Sequence, residues 1–160
     1  MSQTLKNFRL NLNEDLKKLQ EIGERVPPYE TDFVFSNKPG IIYTSFKDDQ
    51  NNTIRVQFHS TSTKTKSYEV EFDINGYSKE AFKTNMKHFF KIISTVVEII
   101  NEFIEKYKPY QLDIEPYEKT GKIDQKDKIW AAYASVNIKD KNYIMGKSPN
   151  GFSIQINTNK

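Results

Sequence analysis

Between residues 79 and 108 the apolar side chains return every three or four positions: Phe82, Met86, Phe89, Phe90, Ile93, Val96, Val97, Ile100, Phe103, Ile104 and Tyr107. That is the spacing at which side chains share one face of an α-helix, so the segment predicts a single long amphipathic helix with an apolar stripe along its whole length. Ser78 is placed to cap it, Glu80 suits its first turn and Pro109 stops it. At about 1.5 Å per residue the helix would be on the order of 45 Å long, more than one sheet needs for cover. Part of the helix is therefore expected to project, its apolar stripe to be covered by a partner or, internally, by the N-terminal helix.

The remainder of the chain supplies the surface on which such a stripe can be buried. Residues 41–46, 53–60 and 67–74 read as three strands, because polar turn material at 48–52 and 61–66 separates runs of alternating character. In the third run Tyr68, Val70, Phe72 and Ile74 fall on one face and Glu69, Glu71 and Asp73 on the other. Phe33 to Phe35 reads as a short strand ahead of them, stopped by the Asn-Lys-Pro-Gly turn at 37–40. After the long helix come a strand at 110–114, a loop at 115–121, a second helix from 124 or 125 to 136, and a hairpin of 142–145 with 151–156. Residues 13–22 predict an N-terminal helix, capped by Asn13 and ended at Gly23, and residues 5–12 an arm. The expected organisation is an arm, helix and Pro-rich connector over 1–30, then one α+β domain over 31–160. In that domain a meander, the central amphipathic helix, a strand parallel to 67–74, a second helix and a C-terminal hairpin share a mixed sheet.

Composition narrows the chemistry. At 160 residues the chain is of single-domain size. Its 11 Phe and 9 Tyr make an aromatic-rich core the way to bury enough area at only 36% hydrophobic content. With no cysteine there is no disulfide framework, no cysteine zinc site and no thiol nucleophile. The longest dense apolar run, 89–100, is interrupted by Lys91, Ser94, Thr95 and Glu98, so no membrane span is expected, and the N-terminus has no continuous apolar stretch of the kind a secretion signal needs. The net charge of +3 comes from interspersed Lys and Asp/Glu with only three arginines, Arg9, Arg25 and Arg55, so nucleic acid is not an expected partner.

Few residues are candidates for chemistry. Glu69, Glu71 and Asp73 line one strand face, a layout that could hold a divalent cation or supply a general base, set against the simpler reading of a solvated face paired with Lys or Arg. His59 and His88 have no Ser, Cys or acidic partner at a motif spacing and read as structural. The lysines interleaved with aromatics over 82–91 fall on the opposite side of the helix from the stripe, which is the pattern of a core and a solvated face. No metal site or resident cofactor is expected.

The order of elements, with the run Val-Val-Glu-Ile-Ile-Asn-Glu-Phe-Ile-Glu-Lys-Tyr-Lys-Pro-Tyr-Gln-Leu-Asp-Ile over 96–114, resembles the central helix and following strand of the acetyl-CoA-dependent acetyltransferase superfamily. Trp130-Ala-Ala-Tyr133 stands where that superfamily carries a helix with a Leu-Tyr-Glu-Lys-x-Gly-Phe ending. Tyr133 matches its Tyr, while Asn137 stands at the Gly and Ile138 at the Phe. Those enzymes bind pyrophosphate on a Gln/Arg-x-x-Gly-x-Gly/Ala turn between the third meander strand and the central helix. Here the junction reads Asp73-Ile-Asn-Gly-Tyr-Ser-Lys-Glu, with one glycine, Gly76, and with Asp73 and Glu80 adding the wrong charge. Thr95 to Ile100 together with Lys108-Pro109 is also similar to small uncharacterised tailed-phage proteins.

The resemblance implies a phage-encoded, non-enzymatic structural or accessory protein, in the virion or in the cytoplasm of the infected bacterial host. It would use an acetyltransferase-like scaffold to bind other phage proteins or itself. The alternative it leaves is an N-acyltransferase with Glu69, Glu71 or Asp73 as base, Tyr133 as acid, and Gly76 and Ser78 at the acetyl-CoA phosphates. A further alternative is an effector that binds a host protein.

Overall fold

The runs at 41–46, 53–60 and 67–74 become strands of one sheet in the computed structural model, which describes Tyr29 and residues 33–62, 64–76, 86–114, 130, 133–148 and 151–157. The strands are β1 (Ser36–Lys38), β2 (Ile41–Lys47), β3 (Thr53–Ser62), β4 (Ser67–Ile74), β5 (Gln111–Ile114), β6 (Tyr143–Ser148) and β7 (Gly151–Ile156). They lie in the order β1-β2-β3-β4-β5-β7-β6. Strands β1 to β4 form an antiparallel meander, β5 runs parallel to β4, and β7 and β6 complete the sheet antiparallel to their neighbours. Between β4 and β5 the chain passes through the helix α1 (Met86–Tyr107), as a parallel pair requires a long connection. Trp130 and residues 133–137 are helical and are called α2.

The apolar face of the sheet carries Phe46, Ile54, Val56, Phe58, Val70, Ile74, Leu112, Ile114 and Ile154, all buried, and α1 packs its stripe on them. The rings of Phe58 and Phe103 stack with centroids 3.8 Å apart and planes 2° from parallel. Phe35 and Tyr68 meet Phe103 edge-on, and Tyr107 lies tilted against it, a geometry that suits the ring quadrupole. Trp130 of α2 is 2% exposed, with Phe72 and Phe152 edge-on to its indole. The stripe from Phe90 to Ile104 is buried, and so are Ser94 and Thr95, whose hydroxyls donate back to the Lys91 carbonyl. The stripe expected to project is therefore covered among the described residues. Tyr29 contributes to that cover: its N–H donates to Thr95 Oγ1 at 2.9 Å, and its ring lies against Phe46 and 4.3 Å from the Lys91 ammonium.

Two turns explain where strands begin and helices end. Lys38 pairs with Ile41, leaving Pro39 and Gly40 as a two-residue turn; proline holds its φ near −65° and Gly40 takes φ +77°, which fits a type II turn. Lys108 leaves α1 at φ +49° while its N–H still bonds the Ile104 carbonyl, and Pro109 then bars continuation. One expected strand is displaced. Residues 33–35 make no strand, and β1 forms at Ser36–Lys38 instead, because apolar alternation marks which side chains pack whereas a strand needs a backbone partner. Phe35 does pack, against Phe58, Phe103 and Tyr107, while Val34 is 75% exposed.

The N-terminal arm, helix and connector expected over 1–30, Tyr29 apart, residues 79–85 of the long helix, the loop at 115–121 and the start of the second helix lie outside the described residues. Within those described, no helix is long and apolar enough to cross a membrane.

Candidate functional site

Because both helices pack on the apolar face, strand alternation sends most of the polar strand residues to the other side, Thr44, buried opposite Val56, being one that is not. Antiparallel register sets Arg55 beside Asp73, Gln57 beside Glu71 and His59 beside Glu69. The parallel step sets Glu69 beside Asp113, and the next antiparallel step sets Asp113 beside Ser153 and Ser153 beside Gly146. A single row thus crosses five strands: His59, Glu69, Asp113, Ser153, Gly146. Side chains in register on adjacent strands stand about 5 Å apart at Cβ, close enough to interact.

Most of the charges on this face are partnered within it. Arg55 Nη2 lies 3.5 Å from Asp73 Oδ2, and the Asp73 carboxylate also accepts the Gly76 N–H at 2.9 Å. Gln57, with its amide oxygen toward Arg55, accepts from Nε and Nη2 and donates to His59 Nε2 at 2.8 Å. The same imidazole nitrogen stands 3.5 Å from Glu71 Oε2. Gln111 Nε2 donates to Asp113 Oδ1 at 2.7 Å. Arg55, His59 and Glu71 reach solvent, with 46%, 33% and 57% of their side-chain surfaces exposed.

Ser153 is the exception. It is fully buried, and its hydroxyl makes no hydrogen bond. Gly146, its neighbour on β6, leaves open the space where a Cβ would stand 2.8 Å from the Gln155 amide nitrogen and 3.0 Å from Ser153 Oγ, so the amide and the hydroxyl converge over the glycine. A buried hydroxyl without a partner costs its desolvation with nothing in return. Ser153→Ala is accordingly expected to raise the unfolding free energy by about 1 kcal/mol in urea or thermal unfolding.

The residues singled out in the sequence are divided by the sheet. Glu69, Glu71 and Asp73 share its polar face, spaced along one strand at roughly 6.6 Å per same-face step. Among the described residues no group of three His, Asp or Glu side chains is set as metal ligands. Tyr133 is on the other side, half-buried against the core beside Glu98 of α1; burial pushes its phenol pKa up, and the Glu98 charge adds to the shift. It is thereby held as a neutral phenol and a weaker proton donor. Asn137 ends α2, its amide donating to the Tyr133 carbonyl, while Asn101 of α1 donates to the Asn137 carbonyl and accepts the Lys139 N–H. Gly76 sits in an exposed turn at φ +88°, a conformation that favours glycine. Ser78 lies outside the described residues, as does the side chain of His88.

Asp113, Ser153, Gln155 and Gly146 were not visible as site residues in the sequence. The alternation of Gln111 and Asp113 with Leu112 and Ile114 was the available signal, but the neighbours across the sheet depend on strand order. No family model, curated protein or solved structure matches this chain.

Proposed function

We propose that this chain is a non-enzymatic, phage-encoded structural or accessory protein that works through protein–protein surfaces, in the virion or in the cytoplasm of the infected bacterial host. One observation carries the non-enzymatic reading: the carboxylates Glu69, Glu71 and Asp73 and the phenol of Tyr133 project from opposite sides of the sheet. A base and an acid acting on one substrate must both lie within hydrogen-bond reach of it.

The β4–α1 junction supports the same reading. The Gly76 N–H, a donor that a pyrophosphate would need, is already taken by Asp73, whose charge opposes an anion. An acetyltransferase-like scaffold remains part of the proposal. The meander, the helical crossover to a strand parallel to β4 and the final hairpin are in line with it. Phage origin rests on the likeness of residues 95–100 and 108–109 to tailed-phage proteins.

Titration calorimetry with acetyl-CoA tests the enzymatic alternative. At about 0.1 mM protein, where a dissociation constant near 1 mM begins to show, no saturable heat is expected. Saturable heat would make the acyltransferase reading the leading one. Mass spectrometry of purified particles separates a virion component from an accessory protein left in the host.

A further inference from the structure

An open sheet ends in two edge strands, and here they are β1 and β6. β1 is three residues long and is followed at once by Pro39, two devices that keep an edge from pairing. β6 has neither: it runs six residues in unbroken register with β7. Along an antiparallel strand the residues turn their N–H and C=O alternately to one side and the other. The Asn157 N–H bonds the Asn142 carbonyl, which fixes the phase: Ile144, Gly146 and Ser148 face β7, while Tyr143, Met145 and Lys147 face the open edge. The Tyr143 N–H is taken by the Asp140 carbonyl at 3.2 Å, and after Ser148 comes Pro149, which has no N–H to offer. Between those limits the edge holds out the N–H and C=O of Met145 and of Lys147, which bond no backbone group among the described residues.

These four groups are complementary to themselves. About a two-fold axis at Gly146, each Met145 stands opposite the Lys147 of a second copy and exchanges both backbone bonds with it, so four hydrogen bonds satisfy every one of them. The two Gly146 residues then face each other as a non-hydrogen-bonded pair, where Cα atoms approach to about 4.5 Å. Gly146 is not among the residues with positive φ, so its backbone does not call for glycine, and a glycine inside a strand is suited to the close approach of another backbone. Over it reaches the half-buried Gln155, whose Nε2 lies 2.8 Å from where a Cβ would stand. Across the axis the two Gln155 amides come within reach of each other, and an amide carries both a donor and an acceptor. Ile144, 38% exposed, lies along the same seam.

From this self-complementary edge we propose that the protein forms a two-fold dimer by antiparallel pairing of β6 with β6 of a second copy, which joins the two sheets into one. The proposal deepens the protein-binding reading above, on which its biological role rests, by naming the surface and the partner.

Sedimentation velocity of the full-length protein from about 10 µM to 1 mM tests it, with a dissociation constant on the order of 0.1 mM expected of so small an interface. The register sets the two Lys147 positions diagonally, about 7–8 Å apart, so added salt should tighten the dimer. Lys147→Gln should keep or tighten it, whereas Lys147→Pro, which loses the same charge and also the N–H, should weaken it by about tenfold or more. Should the proline variant fail to fold, Gln155→Glu and Gln155→Lys, each placing like charges across the axis, should each weaken the dimer by about tenfold, and their equimolar mixture should restore it. Hydrogen exchange should show the Met145 and Lys147 amides gaining protection as concentration rises.

A wild type that stays monomeric to 1 mM would overturn the proposal. So would a dimer that folded Lys147→Pro leaves intact, or one unaffected by the Gln155 charges, since either places the contact elsewhere. A monomeric chain with acetyl-CoA still inert removes the β6 pairing alone; saturable acetyl-CoA binding removes the reading beneath it.

Discussion

Truncating Trp130 to alanine is expected to destabilise the protein by about 3–5 kcal/mol, through the lost burial of the indole and the cavity left behind. The side chain is 2% exposed and lies between Phe72 of β4 and Phe152 of β7, with ring centroids 5.8 Å and 5.7 Å away. These strands sit on either side of β5, so the indole ties the meander to the C-terminal hairpin across the parallel step. For a chain of this size each kcal/mol lowers the thermal midpoint by about 2–4 °C, which puts the expected fall at roughly 6–20 °C by calorimetry or circular dichroism. A folded Trp130→Ala protein of unchanged stability would mean that α2 does not seal the apolar face, and would return that helix to consideration as a binding surface.

Phe103→Ala is expected to have an effect of similar size, about 3–5 kcal/mol, at the other end of the core. Phe103 is fully buried and meets four rings: the stacked Phe58, Phe35 and Tyr68 edge-on, and Tyr107 tilted. Area burial alone would make Phe58→Ala and Phe103→Ala additive. Because the two rings touch face to face, the double variant should be less destabilised than the sum of the singles by about 0.5–1.5 kcal/mol. Urea denaturation of the four proteins in the cycle measures that difference. A coupling of zero would show that the stack is incidental to the packing of α1 on the sheet.

The path from residues to fold was legible where the physical cause was local. Alternation over 67–74 placed Val70 and Ile74 inward and Glu71 outward, as found, because successive strand side chains must point to opposite faces. The three- and four-residue spacing of Ile93, Val96, Val97, Ile100, Phe103 and Ile104 placed all of them in the core. The parallel pairing of 111–114 with 67–70 was also expected, since a helix crossing back over the sheet returns the chain to the end at which the first strand began. Reading Phe33 to Phe35 as a strand failed for a different reason. Phe35 is drawn in by aromatic packing, while the hydrogen-bonded pairing starts after it and is set by the Pro39-Gly40 turn.

The site behaved differently. Local pattern was enough to put Glu69, Glu71 and Asp73 on one face and to disfavour a phosphate cradle around Gly76, since residue type and backbone conformation are properties of a short segment. It could not show that Arg55 would meet Asp73, or that His59, without a partner in sequence, would lie 3.5 Å from Glu71 on the next strand. Nor could it bring Asp113 and Ser153, 40 positions apart, into one row. Those neighbours exist only after the strands take their order, and that order is decided by how the apolar face closes over α1 and Trp130. Burial of one face chose the topology, and the polar face received its constellation as a consequence.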